Sequence, residues 1–162
     1  MRSDREILDF IVASLKAPDV ARAREAARLQ AESEHKKVFY AAAHAVYTHV
    51  IGPGMARMAA LVAQARLRAS FADTGDFYLP TQTDPTMVAK FAMPMGGKKT
   101  ALPLCVSFKA SFPTGLLVYY SDPDKGQAEA VGEVEEVPLE AATAELIEDR
   151  LLMVVANHLH EL

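Results

Sequence analysis

The feature that most constrains this chain is a change in the spacing of its apolar residues near residue 70. Before that point, apolar side chains recur every three or four residues, as they do along the buried stripe of an α-helix. After it, apolar and polar residues alternate, most clearly in the segment from Leu104 to Phe112. Because a two-residue period buries one face of a sheet and not a helix stripe, the sequence predicts helices first and a sheet second.

We therefore expect an α+β fold with N-terminal helices, one of them long, followed by an antiparallel meander of four or five strands. A C-terminal helix is expected to pack on one face of that sheet. The helical part covers residues 1–70, the sheet residues 71–138 and the C-terminal helix residues 143–160. A chain of 162 residues without repeats or a low-complexity linker predicts a single domain.

The first helix is predicted to be short and amphipathic. Ser3 followed by Glu6 has the form of a capping box, in which each side chain satisfies a backbone N–H of the first turn. We expect Pro18 to end the helix, because proline disfavours helical backbone in the residue before it. The apolar face of this helix consists of Ile7, Phe10, Ile11 and Leu15.

A second helix is predicted over about residues 20–50, a segment without proline or glycine. Its first half is mostly charged, whereas its second half carries a wide apolar arc that something must cover. The sequence Ile51-Gly52-Pro53-Gly54 predicts a break or sharp kink before a third helix over about residues 55–67. The second and third helices form either an αα-hairpin or a long arm.

The remaining elements are predicted from turn and cap residues. Pro113-Thr114-Gly115 reverses the chain between two strands, and further turns are expected at residues 96–99 and 122–126. A short edge strand is also considered at Phe77-Tyr78-Leu79. Thr143 is the expected N-cap of the last helix.

Charge is distributed unevenly along the chain, whose net charge is −4. Residues 1–70 carry 11 Lys and Arg against 7 Asp and Glu, whereas residues 71–162 carry 6 against 14. This asymmetry is compatible with nucleic-acid binding by the helices or with complementarity between helices and sheet or between subunits. The interleaved charges and the acidic pI of about 5.7 argue against nucleic acid as the partner.

The single cysteine, Cys105, lies in an alternating strand pattern and cannot form an internal disulfide. We interpret it as a small, half-buried and inert thiol, which fits a reducing compartment. The chain shows neither a signal-peptide pattern nor an apolar run long enough to cross a bilayer. These features predict a cytoplasmic protein without membrane association.

One polar constellation is a candidate ligand site. Tyr40, His44 and Tyr47 follow i, i+4, i+7 spacing, which places them on one stripe of the second helix. A histidine between two phenols can transfer protons or recognise a polar ligand. The competing interpretation is that the aromatic rings pack in the core and keep their polar tips at its edge.

Familiar catalytic and metal sites are not indicated by the sequence. His44 and His49 are separated by about 140° around a helix, and His35 points roughly opposite to His44, so these side chains do not converge. No nucleophile elbow is present, and nothing around Cys105 suggests an activated thiol. We expect neither a metal nor a cofactor.

Taken together, these features predict a non-enzymatic binding or protein-interaction module that forms a homodimer through its long helices. The alternative function is a small-molecule-binding protein or enzyme with a pocket between helices and sheet, around Tyr40, His44 and Tyr47. A filled core would count against that alternative, and a monomer in solution would count against the interaction module.

Overall fold

The structure is a computed structural model that describes residues 1–73, 87–94, 102–121 and 130–160. Two compact units are distinguished along the chain, Met1–Lys37 and Val38–Leu162. The single-domain organisation stays a prediction. The expected strand at residues 77–79 and the expected turns at residues 96–99 and 122–126 lie outside the described residues.

Helix α1 extends from Asp4 to Val46, which makes it longer than the sequence predicts. The capping box is confirmed, because the Ser3 N–H donates to Glu6 Oε2 at 2.9 Å and the Glu6 N–H donates to Ser3 Oγ at 3.3 Å. The prediction that Pro18 ends the first helix is wrong, since the proline lies inside α1. Pro18 offers no N–H to the Ser14 carbonyl, and Ser14 is exposed, so water can satisfy that oxygen.

The expected break near Gly52 does not interrupt the helical backbone, because a π-helix over Tyr47–Ile51 joins α1 directly to helix α2 over Gly52–Gln64. The Gly52 N–H donates to the Tyr47 carbonyl, which is the i→i+5 bond of a π-helix. Pro53 occupies the first turn of α2, where its missing donor is tolerated. Because Ile51 and Gly52 keep right-handed helical torsions, the chain does not reverse at this point and the αα-hairpin does not form.

The predicted meander is confirmed as a five-stranded antiparallel sheet in which every strand pairs with its neighbours in sequence. Its strands are β1 (Ser70–Asp73), β2 (Val88–Ala92), β3 (Cys105–Ser111), β4 (Gly115–Ser121) and β5 (Ala130–Val137). The turn at Pro113-Thr114-Gly115 joins β3 to β4, with Ser111 opposite Gly115. The first strand, β1, lies at one edge of this sheet and begins at Ser70.

Alternation along the strands decides which sheet face is covered. In β2 and β3, Phe91, Val106 and Phe108 are fully buried, and the register places Phe91 beside Val106. Helix α3 (Ala144–His160) packs on this sheet face and against α2. Thr143 caps α3 as predicted, because its Oγ1 accepts the Leu146 N–H at 3.3 Å and its carbonyl accepts the Ile147 N–H at 3.1 Å. A single core therefore fills the space between the helices and one sheet face.

Glycine is required at the start of β4. Gly115 has a φ of 129°, and a side chain there would collide with the carbonyl oxygen of Val137, the last residue of β5, and with the Cα of Pro138 that follows it. Gly132, at the irregularity between β4 and β5, also has a positive φ of 85°, but the space around it is open. A comparison of substitutions at the two glycines therefore distinguishes the cost of backbone strain from the cost of a steric collision.

We expect Gly115→Ala to lower the free energy of unfolding by more than 3 kcal/mol, because about 1–3 kcal/mol of backbone strain is combined with a collision against main-chain atoms. Gly132→Ala is the matched control and carries the strain alone. Urea unfolding of the two variants measures the cost of the backbone strain and the additional cost of the collision. Equal destabilisation by the two substitutions would contradict the proposed collision at Gly115.

Candidate functional site

The clearest exposed feature of the first unit is a run of six large apolar side chains near the start of α1. Their exposed fractions lie between 40 % and 71 %. We call this set the apolar stripe; it consists of Ile7, Leu8, Phe10, Ile11, Val12 and Leu15. The sequence had identified four of the six; Leu8 and Val12 were missed, although their i, i+4 spacing was the signal that could have found them.

Helix geometry explains why the apolar stripe stays exposed within its own unit. Residues Met1–Lys37 consist of one helix and its start, and a single helix cannot bury its own apolar face. Ile7, Ile11 and Leu15 form one row at four-residue spacing, and Leu8 with Val12 forms the adjacent row. The stripe therefore requires an external apolar surface if it is to leave water.

Downstream of the apolar stripe, α1 is stabilised by ion pairs along its own surface. Arg28 pairs with Glu25 at 2.6 Å and with Glu32 at 3.5 Å, and Lys36 pairs with Glu32 at 3.7 Å. The hydrogen bond from Arg28, together with its charge, lowers the pKa of the Glu25 carboxyl. Charge pairing, rather than burial, is thus the stabilising feature of this part of the helix.

Most of the apolar arc that the sequence placed in the second half of the long helix is covered within the second unit, although Val38 is 70 % exposed. Tyr40, Ala43, Tyr47 and Ile51 are buried, and Met55, Met58 and Val62 continue the same core along α2. This surface was expected to contribute to a dimer contact. Because most of it is already buried in the second unit, the candidate surface for a partner is the apolar stripe at residues 7–15.

The predicted ligand residues occupy one stripe, as their spacing indicated, but they are buried to different degrees. Tyr40 and Tyr47 are buried, whereas His44 is half-buried. Phe39 lies beside Tyr40 with the ring centroids 5.1 Å apart in an edge-to-face arrangement. A ligand pocket around Tyr40, His44 and Tyr47 stays a prediction.

Tyr47 has a defined structural role. Its hydroxyl lies 2.8 Å from the Met87 carbonyl oxygen and 2.6 Å from the Phe108 carbonyl oxygen, so its single proton is shared between two neighbouring strands. The Met87 carbonyl also accepts the Ala110 N–H at 3.0 Å. The phenol of a fully buried tyrosine is therefore occupied by backbone groups.

A shallow surface cleft lies between α2 and α3, with a cavity volume of about 20 Å³. Met58 and Leu61 form its apolar wall, and Gly54 lies beside them. Arg57 and Glu148, also in its lining, form a long and exposed ion pair at 3.9 Å. None of the predicted ligand residues lines this cleft.

A second ion pair, absent from the sequence predictions, joins α3 to the edge strand β5. Arg150 donates to both oxygens of Glu135, at 2.8 and 2.7 Å. The bidentate hydrogen bond lowers the pKa of the Glu135 carboxyl, although burial acts in the opposite direction. Burial raises the pKa of the nearby Tyr120 phenol, and the Arg150 charge opposes this shift. Because the pair links residues 15 apart on different elements, no local sequence signal could have found it.

Cys105 is a free thiol that is buried rather than half-buried, which differs from the prediction. In the part of the chain that the structure describes, no three His, Cys, Asp or Glu side chains come together as a metal-binding group. The helices among the described residues include none that is both long enough and apolar enough to span a bilayer.

No protein-family model, curated protein or solved structure matches this chain.

Removing the Tyr47 hydroxyl is expected to lower the free energy of unfolding by about 1–2 kcal/mol, because two strand carbonyls lose a buried donor. Tyr47→Phe tests this by urea unfolding. Tyr119→Phe, at a half-buried position on β4, is the control and is expected to change stability by less than about 0.5 kcal/mol. A Tyr47→Phe variant with an unchanged free energy of unfolding would contradict the anchoring role of the hydroxyl.

The Glu135–Arg150 pair is expected to make stability depend on pH. The pKa of the Glu135 carboxyl is lower in the folded chain than in the unfolded chain. The ion pair therefore contributes its full stabilisation above the ordinary glutamate pKa of about 4.3, and this stabilisation is lost as the pH falls through the folded-state pKa. A double-mutant cycle with Glu135→Gln and Arg150→Gln is expected to give a coupling of roughly 1 kcal/mol or less at neutral pH, since both side chains retain contact with solvent.

The matched control is the same cycle on Arg57 and Glu148, whose long and exposed pair is expected to show no measurable coupling. Unfolding at neutral and at acidic pH provides the comparison. Coupling of Glu135 to Arg150 that is unchanged at acidic pH would contradict its electrostatic origin.

Proposed function

We propose that this chain is a non-enzymatic protein-interaction module that forms a homodimer through the apolar stripe of α1. The observation that carries the proposal is the exposure of six large apolar side chains within three turns of one helix. Contiguous apolar patches of this kind mark interaction sites on soluble proteins, whereas single exposed apolar residues do not. The proposed partner is a second copy of the chain.

Energetic considerations support self-association through this patch. Each of the six side chains is about half exposed, and completing its burial contributes roughly 1 kcal/mol. Phe10 projects almost opposite to Val12, so one partner helix can cover only the other five side chains, and two such faces contribute about 10 kcal/mol. This gain is comparable with the roughly 4–15 kcal/mol that association costs in translational and rotational freedom. We therefore expect a dimer whose population depends on protein concentration.

The charges around the apolar stripe favour a protein surface over a lipid or nucleic-acid surface. Residues 1–19 contain three basic and four acidic side chains. Helices that lie on anionic membranes carry a basic polar face, and nucleic-acid-binding surfaces are also strongly basic. A second copy of this chain supplies an apolar surface of the same shape, and two-fold symmetric dimers are the commonest soluble oligomers.

The proposal includes action in the cytoplasm. It is supported by the composition of the chain, in which the only cysteine is a buried free thiol. Proteins of oxidising compartments commonly use cysteines in pairs, whereas a reducing compartment keeps a lone thiol unmodified.

Substitution in the centre of the apolar stripe tests the proposed interface. Ile11→Glu places a charge where the two helices would meet and is expected to weaken the dimer by about tenfold or more. Ala13→Glu is the matched control, because it introduces the same side chain two residues further along on the opposite side of α1. Sedimentation velocity over a range of concentrations measures both dissociation constants, and circular dichroism verifies that α1 remains helical.

Two results would contradict the homodimer. The first is a wild-type chain that stays monomeric across the concentration range. The second is a dimer that Ile11→Glu and Ala13→Glu weaken equally, which would place the contact elsewhere. Binding of the wild-type chain to anionic vesicles, lost in Ile11→Glu but not in Ala13→Glu, would assign the stripe to a membrane surface instead.

A further inference from the structure

The apolar stripe is bracketed by two opposite charges on the same line of the helix. Asp4 precedes the stripe and Arg22 follows it, and both side chains are exposed. They are 18 residues apart, which is five turns of about 3.6 residues, so both project from the same side of α1. Ile11 and Leu15 lie close to this line, on either side of its midpoint.

Several charges further along the helix are engaged in ion pairs, whereas within the part of the chain that the structure describes Asp4 and Arg22 are not. The charged residues after Arg22 include Glu25, Arg28 and Glu32, which form ion pairs with one another. Among the described residues, neither Asp4 nor Arg22 has a salt-bridge partner in the chain. Both are therefore available to a second helix placed along the apolar stripe.

We infer that the two copies pair antiparallel, with Asp4 of each chain beside Arg22 of the other and with Ile11 beside Leu15 at the centre. This inference rests on the proposed homodimer and specifies its geometry. Two-fold symmetry generates the Asp4–Arg22 contact twice, once at each end of the paired apolar stripes. Opposite charges at the rim of an apolar contact select its orientation and register more than its strength.

The parallel arrangement is disfavoured by the same charges. With the helices in register, Asp4 would face Asp4 and Arg22 would face Arg22, so both ends of the contact would carry like charges. The antiparallel arrangement replaces both repulsions by attractions. It also sets the two helix dipoles in opposite directions, which is the more favourable electrostatic alignment.

Charge reversal distinguishes the two orientations. Arg22→Glu turns both antiparallel attractions into repulsions and is expected to raise the dimer dissociation constant by about tenfold. Adding Asp4→Lys restores opposite charges, and the double variant is expected to return to within about twofold of the wild-type value. Arg24→Glu makes the same charge change on the opposite side of α1 and serves as the matched control. All four chains are compared by sedimentation velocity at low ionic strength.

The outcomes separate this inference from the proposal on which it rests. A wild-type chain that remains monomeric overturns the homodimer itself. A wild-type dimer that Ile11→Glu disrupts but Arg22→Glu leaves unchanged preserves the homodimer and overturns the antiparallel orientation. Weakening by Arg22→Glu without recovery in the double variant also overturns the Asp4–Arg22 contact. The expected result is weaker dimerisation of Arg22→Glu and recovery of the wild-type dissociation constant when Asp4→Lys is added.

Discussion

The hydroxyl of Tyr47 is the interaction that orients the helical layer of the second unit on its sheet. It hydrogen-bonds the Met87 and Phe108 carbonyl oxygens, and thereby ties the helical layer to two paired strands of the sheet. A buried hydroxyl is stable only when its polar group is satisfied, so this contact restricts how the π-helix lies on β2 and β3. Apolar packing alone would allow more freedom, since the hydrophobic effect has little directional preference. The phenol therefore adds orientation to a core that other residues fill.

Helix α1 contains segments with different sources of stability. Residues 38–46 contribute Tyr40 and Ala43 to the core of the second unit, whereas the first unit relies on its capping box and its ion pairs. Local interactions of this kind contribute only tenths of a kcal/mol each, and most helices in proteins gain their stability from packing. The apolar stripe is the part of the first unit with the most free energy to gain from a partner. Because the first unit has only weak local interactions and an exposed apolar stripe, the homodimer is proposed at residues 7–15.

Local signals predicted several elements correctly because their physical cause lies within a few residues. Ser3 and Thr143 cap helices through bonds to residues three positions away, and the turn at Gly115 depends on a backbone conformation that favours glycine. Pro18 misled the prediction, since a proline in an exposed helix leaves a carbonyl that water can satisfy. The bond from Tyr47 to Phe108 spans 61 residues, so no local pattern could have indicated it.

The sequence by itself determined the order of helices and strands, the alternation that assigns residues such as Phe108 to the core, and the spacing that aligns Tyr40, His44 and Tyr47. These properties follow from periodicity and from steric limits on single residues. Only the tertiary structure decided which apolar segments are covered and which polar groups are satisfied. It buried the arc around Ile51, left Leu15 exposed, and paired Arg150 with Glu135. Burial and pairing depend on groups distant in the chain, and their contacts exist only after the elements have packed.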